Sequence, residues 1–158
     1  MGGEEFKDAL GRYMDFYLEL AAEQGWSPGE GLFVPDYYKP GMTKPHTALN
    51  HQLAEMSVLY KCGRLLGRPE LTELADSMLA AVECTADGWI MPDGDLEYGI
   101  FPDGHFGLED YPYLTYNDLF DMQALLGSMG RGRSAGLQKL MDSKKLWMDR
   151  NGVTEYKK

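Results

Sequence analysis

No lysine or arginine occurs from Pro69 through Gly130, while thirteen aspartates and glutamates fall in that stretch. The chain has 158 residues, 15 basic and 25 acidic side chains and a net charge of −10, so everything outside the stretch sums to +3. A surface that tracks phosphates needs a basic stripe, and none is visible, so neither nucleic acid nor an anionic membrane is an expected partner. Long apolar runs are missing too. Nothing approaches the ~20 residues of a membrane span, and Met1-Gly2-Gly3-Glu4-Glu5 has neither the basic nor the apolar segment of a secretory leader. The expectation is a soluble, cytoplasmic protein, or a secreted one if a leader has been trimmed away. Cysteine is scarce: Cys62 and Cys84 read as reduced, mostly buried thiols, which suits a cytoplasmic setting.

What is present is enough for one domain over residues 1–158. At this length folding removes roughly 70% of the extended-chain surface from water, and 44% of the residues are hydrophobic. Apolar residues recur at helical spacing in five segments. Phe6, Leu10, Tyr13, Met14, Tyr17 and Ala21 form the first stripe, stopped at Gly25. Leu49, Leu53, Met56, Tyr60, Gly63 and Leu66 form the second, and Leu71, Leu74, Ala75, Met78 and Val82 the third. Gly67-Arg68-Pro69 between them is too short for anything but an antiparallel helical hairpin. A fourth helix opens after Pro112 with Thr115 or Asn117 as its cap and carries Leu119, Met122, Leu126 and Met129. Gly130-Arg131-Gly132 links it to a fifth, capped by Ser134, with Leu137, Leu140, Met141 and Trp147.

Residues 26–45 hold Pro28, Pro35, Pro40 and Pro45 and read as a loop. In the 85–114 connection, Pro92-Asp93-Gly94 and Pro102-Asp103-Gly104 are turn signals, and Leu96, Tyr98 and Ile100 alternate between them. A small β-hairpin excursion is expected there. Trp89, Asp93-Gly94 and Glu97-Tyr98 recur as Trp147, Asn151-Gly152 and Glu155-Tyr156, 58 residues later. This echo points to a repeated unit of helix, tight turn, helix and long loop, so the fold class is mainly α: antiparallel helical hairpins forming a partial α/α toroid or solenoid.

The acidic stretch also holds eight of the nineteen aromatic residues. Carboxylates beside aromatic rings suit sugars, whose C–H faces stack on rings and whose hydroxyls donate to ionised oxygens. Paired carboxylates also serve as acid, base or nucleophile at a glycosidic bond. The catalytic candidates are Asp93, Asp95, Glu97 and Asp110, with His51 as a proton carrier. Glu55, one helical turn after His51, shares its face. The binding candidates are Trp89, Tyr98, Tyr111 and Tyr113 as stacking rings, with Asn50 and His105 as polar contacts. Asp93-x-Asp95-x-Glu97 begins like a calcium loop, but Tyr98 stands where the turn glycine belongs. His46, His51 and His105 lack zinc spacing. No metal or other cofactor is expected, and no nucleophile elbow, phosphate loop or dinucleotide fingerprint occurs.

Three segments carry a resemblance: Thr47-Ala48-Leu49-Asn50-His51-Gln52-Leu53-Ala54-Glu55-Met56, the hairpin at Leu66-Gly67-Arg68-Pro69 with Asp87-Gly88-Trp89, and Asp110-Tyr111-Pro112-Tyr113-Leu114-Thr115-Tyr116-Asn117-Asp118-Leu119. Together they resemble α/α-toroid carbohydrate-active proteins, nearest the helical domain of glucuronyl epimerases and the six-hairpin glycosidases. The resemblance covers residues 46–156 and implies a glycan, oligosaccharide or polysaccharide, as the partner. Those families close a full ring of helices, so five helices imply either a portion of a larger toroid or a homo-oligomer. Asn50-His51 opening a helix also resembles toroid-type polysaccharide lyases, which implies Asn50 and His51 at a uronate carboxylate and Tyr98, Tyr111 or Tyr113 as base. The acidic stretch opposes a uronate polyanion, which ranks lyase chemistry lower. The reading from a different class is a non-catalytic helical-repeat module whose acidic, aromatic face recognises a basic protein partner.

Overall fold

The computed structural model describes residues 2–37, 39 and 46–157. Among these, the helices are α1 (Gly2–Gln24), α2 (Leu49–Leu66), α3 (Pro69–Cys84), α4 (Leu114–Ser128) and α5 (Ala135–Arg150). The strands are β1 (Thr47–Ala48), β2 (Glu97–Ile100) and β3 (Phe106–Glu109). The chain is therefore mainly helical with one small antiparallel sheet of order β1-β2-β3.

The two tight links form as their glycines require. Gly67 closes α2 in the left-handed region (φ 67°), its N–H bonding to the Gly63 carbonyl, and Pro69 starts α3 at once. Gly63 has a second role: a Cβ there would meet Thr72 Oγ1 at 2.6 Å, so its absence lets α2 and α3 close together. α5 begins at Ser134, whose Oγ accepts from the Leu137 N–H at 3.2 Å. Gln123 on α4 exchanges two bonds with the Ser134 backbone. α2 packs on both α3 and α4, and α5 on both α4 and α3, so the two hairpins stack as successive layers, with α1 laid across the first.

One continuous apolar core runs through both hairpins and takes in Leu53, Met56, Leu71, Met78, Leu119, Leu126, Leu137 and Met148. Trp89 lies within it, fully buried, its ring edge-on to Phe33 and Phe106 and its Nε1 donating to Thr85 Oγ1 at 3.1 Å. The β2–β3 hairpin turns at Pro102-Asp103-Gly104, with Gly104 at positive φ as the turn signal implies. β1, which the spacing did not predict, adds the third strand at the start of α2.

Four sequence expectations are corrected. On α1, Phe6 and Tyr13 are exposed and the core face is narrower, Met14, Tyr17 and Ala21, because α1 meets the hairpins along one side only. α4 has no side-chain cap: Thr115 donates to Asp110 instead, and the Asn117 carboxamide oxygen accepts from the Lys157 N–H. Cys62 is buried but Cys84 is exposed, its thiol donating to the Glu30 carbonyl. The two halves of the echo differ in setting, since Trp89 follows the end of α3 whereas Trp147 lies inside α5. They touch nonetheless, Trp147 Nε1 donating to Asp93 Oδ2 at 3.2 Å. In the proline-rich loop, Trp26 and Phe33 pair as an isolated antiparallel bridge, while Pro40 and Pro45 lie outside the described residues.

Candidate functional site

The most organised polar group is at the N-terminal end of α2. Gln52 fixes the incoming loop by donating to the Leu32 carbonyl and accepting from the Val34 N–H, and Thr47 donates to the Val34 carbonyl at 2.6 Å. These bonds deliver Asp36 to the helix end, where its Oδ1 accepts from the Ala48 N–H at 2.8 Å. Its other oxygen lies 2.9 Å from His51 Nδ1 and 3.5 Å from His46 Nε2. The Asp36 side chain is only 2% exposed whereas that of His51 is 52% exposed, so a buried carboxylate holds a histidine that faces outward. Asp36 Oδ2 has no partner in hydrogen-bonding geometry among the described residues, so it acts on His51 and His46 through its buried charge.

His51 opens onto a cavity of about 460 Å³ between α1, α2 and the 34–37 segment, lined also by Tyr13, Phe16, Tyr17, Tyr37 and Glu55. Burial pushes the Glu55 carboxyl above its ordinary range, and Asp36 adds to this while His51 opposes it. Burial and the nearby Glu55 charge likewise raise the Tyr13 and Tyr17 hydroxyls. On the far side of His51, the Tyr98 ring stands edge-on at 6.4 Å and Tyr111 stands edge-on to Tyr98 at 5.6 Å. Asp118 on α4 is pushed up to about 6, by burial first and by Asp121 next. The arrangement offers an imidazole beside a buried carboxylate, a carboxyl of raised proton affinity one helical turn away and a wall of aromatic rings. That is the equipment for proton transfer to a ligand held against the rings.

The structure brings together His51, Tyr98 and Tyr111 from the sequence candidates and disperses the rest. Trp89 offers no face to a sugar, being sealed in the core. Asp95 and Asp110 are not a solvent-facing acid/base pair: both are buried and converge on Lys144, whose Nζ lies 2.7 Å from Asp110 Oδ2 and is bonded to Asp95 Oδ1. Thr115 donates to the other Asp110 oxygen at 2.5 Å, and burial raises Asp110 despite both partners. Asp93 is a turn residue that accepts from the Asp95 N–H and from Trp147. Glu97 sits opposite Glu109 in the sheet. His105 stacks on Phe101 at 4.1 Å and is bonded to Asp103 at the hairpin tip. Asn50 is buried behind His51, its Oδ1 without a hydrogen-bond partner among the described residues. Tyr113 is exposed at the start of α4.

Sequence reasoning missed Asp36, His46 and the α1 rings. Asp36 sits in a loop with no period, and its contact with His51 depends on how that loop folds back. Tyr13 was hidden by the rule that assigns helical aromatics to the core, and Phe16 lies off the helical stripe and carried no signal. Among the described residues no group of three or more His, Cys, Asp or Glu side chains is disposed to hold a metal ion, and no helix is long and apolar enough to cross a membrane. Comparison with protein-family models, with curated proteins and with solved structures gives no match to this chain.

Proposed function

We propose that this is a carbohydrate-active domain that binds or processes a glycan in the cleft between α1 and α2, with His51 as the general acid/base. The observation that carries the reading is the Asp36–His51 pair at the mouth of an aromatic-walled cavity. Asp36 Oδ2 stands 2.9 Å from His51 Nδ1, so its charge stabilises the imidazolium that forms when Nε2 takes a proton from the ligand. Glu55 supplies a second proton-transfer group on the same helix face. Tyr13, Phe16 and Tyr37 present rings to sugar C–H faces, and Tyr98 and Tyr111 extend the surface beyond His51. The resemblance of residues 46–156 to α/α-toroid epimerases and six-hairpin glycosidases supports the same class, with His51 and Glu55 in place of the acidic-loop carboxylates as the proton-transfer groups. Lyase chemistry on a uronate ranks lower, because among the described residues no lysine or arginine lines the cavity to meet the uronate carboxylate.

A second reading rests on a different observation. Leu108, Tyr111, Tyr113 and Leu114 are exposed on one stretch of chain beside exposed Glu109, which fits a non-catalytic module that docks a basic protein partner. Thermal-shift titration separates the two. A ligand that binds only the folded state raises its apparent stability by mass action. The glycan reading predicts a shift with neutral or N-acetylated oligosaccharides that persists at high salt and is lost in His51→Ala and Tyr13→Ala. No shift with neutral, N-acetylated, amino or uronate sugars, from a folded sample, overturns it.

A further inference from the structure

The cavity beside His51 combines three features that together select for one kind of ligand charge. Its rings are accessible: Tyr13 is 49% exposed, and Phe16 and Tyr37 are each 54% exposed. Among the described residues its charged lining is Asp36, His51 and Glu55, without a lysine or arginine. The positive end of the α2 dipole, which would otherwise attract anions, already has Asp36 beside it, bonded to the Ala48 N–H. With His51 neutral the lining carries two carboxylates, and with His51 protonated it still keeps an excess negative charge once Glu55 is ionised. Aromatic faces around a carboxylate are the surroundings in which an ammonium group is held, by the ring quadrupoles and by a charge-assisted hydrogen bond.

We propose that the α1–α2 cleft recognises an ammonium group, so that among glycans it prefers one bearing free amines, an amino sugar, over its neutral or acidic counterparts. Glu55 accepts the ammonium hydrogen bond while Tyr13, Phe16 and Tyr37 enclose the cation. Asp36, sealed behind His51, contributes its charge through space. Burial raises Glu55, so an ammonium beside it also relieves a carboxylate that has no lysine or arginine among the described residues of the cavity lining. The specificity to amines rests on the glycan reading of the same site, and the experiment keeps the two apart.

Isothermal titration of the full chain at low salt compares glucosamine oligosaccharides, the same oligosaccharides fully N-acetylated, and choline as a sugar-free cation. The proposal predicts that the free-amine oligosaccharide binds about tenfold more tightly than its acetylated form, the equivalent of one charge-assisted hydrogen bond after desolvation losses. Added salt narrows the gap, and Glu55→Gln closes it. Tyr13→Ala, at an exposed position that α1 tolerates, weakens the free-amine sugar and choline alike. Equal affinity for the free-amine and acetylated sugars overturns the amine inference and leaves the glycan reading standing. Binding of choline, whose quaternary nitrogen has no N–H to donate, without either sugar overturns both the amine inference and the glycan reading. Binding of none of the three by a folded sample overturns both.

Discussion

Lys144 is the most consequential single charge in the protein. Its side chain is wholly excluded from solvent, and its ammonium is shared between Asp95, 12% exposed, and Asp110, which is wholly buried. Lys144→Met keeps the aliphatic stem and most of the volume, so little of the cost comes from a cavity. It leaves two carboxylates in a dry pocket with only Thr115, the Leu96 N–H and local backbone to solvate them. It also removes a cation lying 4.7 Å from the centre of the Trp147 ring. Breaking a buried pair by deleting one partner costs about 3–5 kcal/mol, a large share of the ~5–15 kcal/mol that holds a domain of this size together. The loss depends on pH in a definite direction. Burial already raises Asp110 against the pull of Lys144, and without Lys144 its folded pKa rises further above its unfolded value. Folding then takes up a proton, so the deficit is largest at neutral pH and shrinks on acidification. Urea denaturation of the variant at neutral and mildly acid pH reads both quantities. Adding Asp95→Asn and Asp110→Asn to Lys144→Met restores most of the lost stability, because a neutral cluster no longer carries uncompensated charge. A loss under about 1 kcal/mol at neutral pH, where 3–5 kcal/mol is the cost of orphaning a buried charge, refutes the reasoning. So does a loss of the same size at both pH values.

Three further predictions follow from the same geometry. Trp89→Ala, which empties a fully buried site between Phe33 and Phe106, lowers stability by about 3–5 kcal/mol in thermal or chemical denaturation, and any change in sugar affinity tracks unfolding. Asp118, raised from 3.8 to about 6, makes the folded state lose stability as pH climbs through that window. Asp118→Asn removes this slope and stabilises the protein by about 1 kcal/mol at neutral pH once solvent screening is allowed for, as a pH series of melting temperatures will read. Glu97 and Glu109 face each other across β2 and β3, so Glu109→Lys replaces a like-charge pair with an opposite one and gains about 0.5 kcal/mol in urea denaturation at low salt.

The helices were legible because their signals are local. Leu49, Leu53, Met56 and Tyr60 repeat at the helical period, and Gly67 and Pro69 can close and reopen a helix with no help from elsewhere in the chain. Ser134 caps its own helix, and Gly104 turns its own hairpin. The site was legible only in part, because it depends on contacts between distant segments. His51 announced itself, but the buried carboxylate beside it comes from a loop that Gln52 and Thr47 tie down. Asp95 and Asp110 looked like free acids because Lys144, the residue that neutralises them, lies on α5, well outside the stretch that lacks basic residues. Trp89 and Tyr13 exchanged roles for a related reason. A loop tryptophan beside acids reads as a binding ring until Phe33 and Phe106 are seen to enclose it, and a helical tyrosine reads as core until its helix is seen to pack along one side.

The central claim is that a glycan occupies the cleft between α1 and α2 beside His51. Its most direct test is a two-dimensional NMR titration of the full chain with a partly N-acetylated chitosan oligosaccharide, which carries both free amines and acetamides. The account predicts shifts concentrated at Tyr13, Phe16, Tyr37, His51 and Glu55, with the distant Asp76–Arg131 contact unmoved. Shifts centred on Leu108, Tyr113 and Leu114, or no shifts at saturating oligosaccharide, would contradict it.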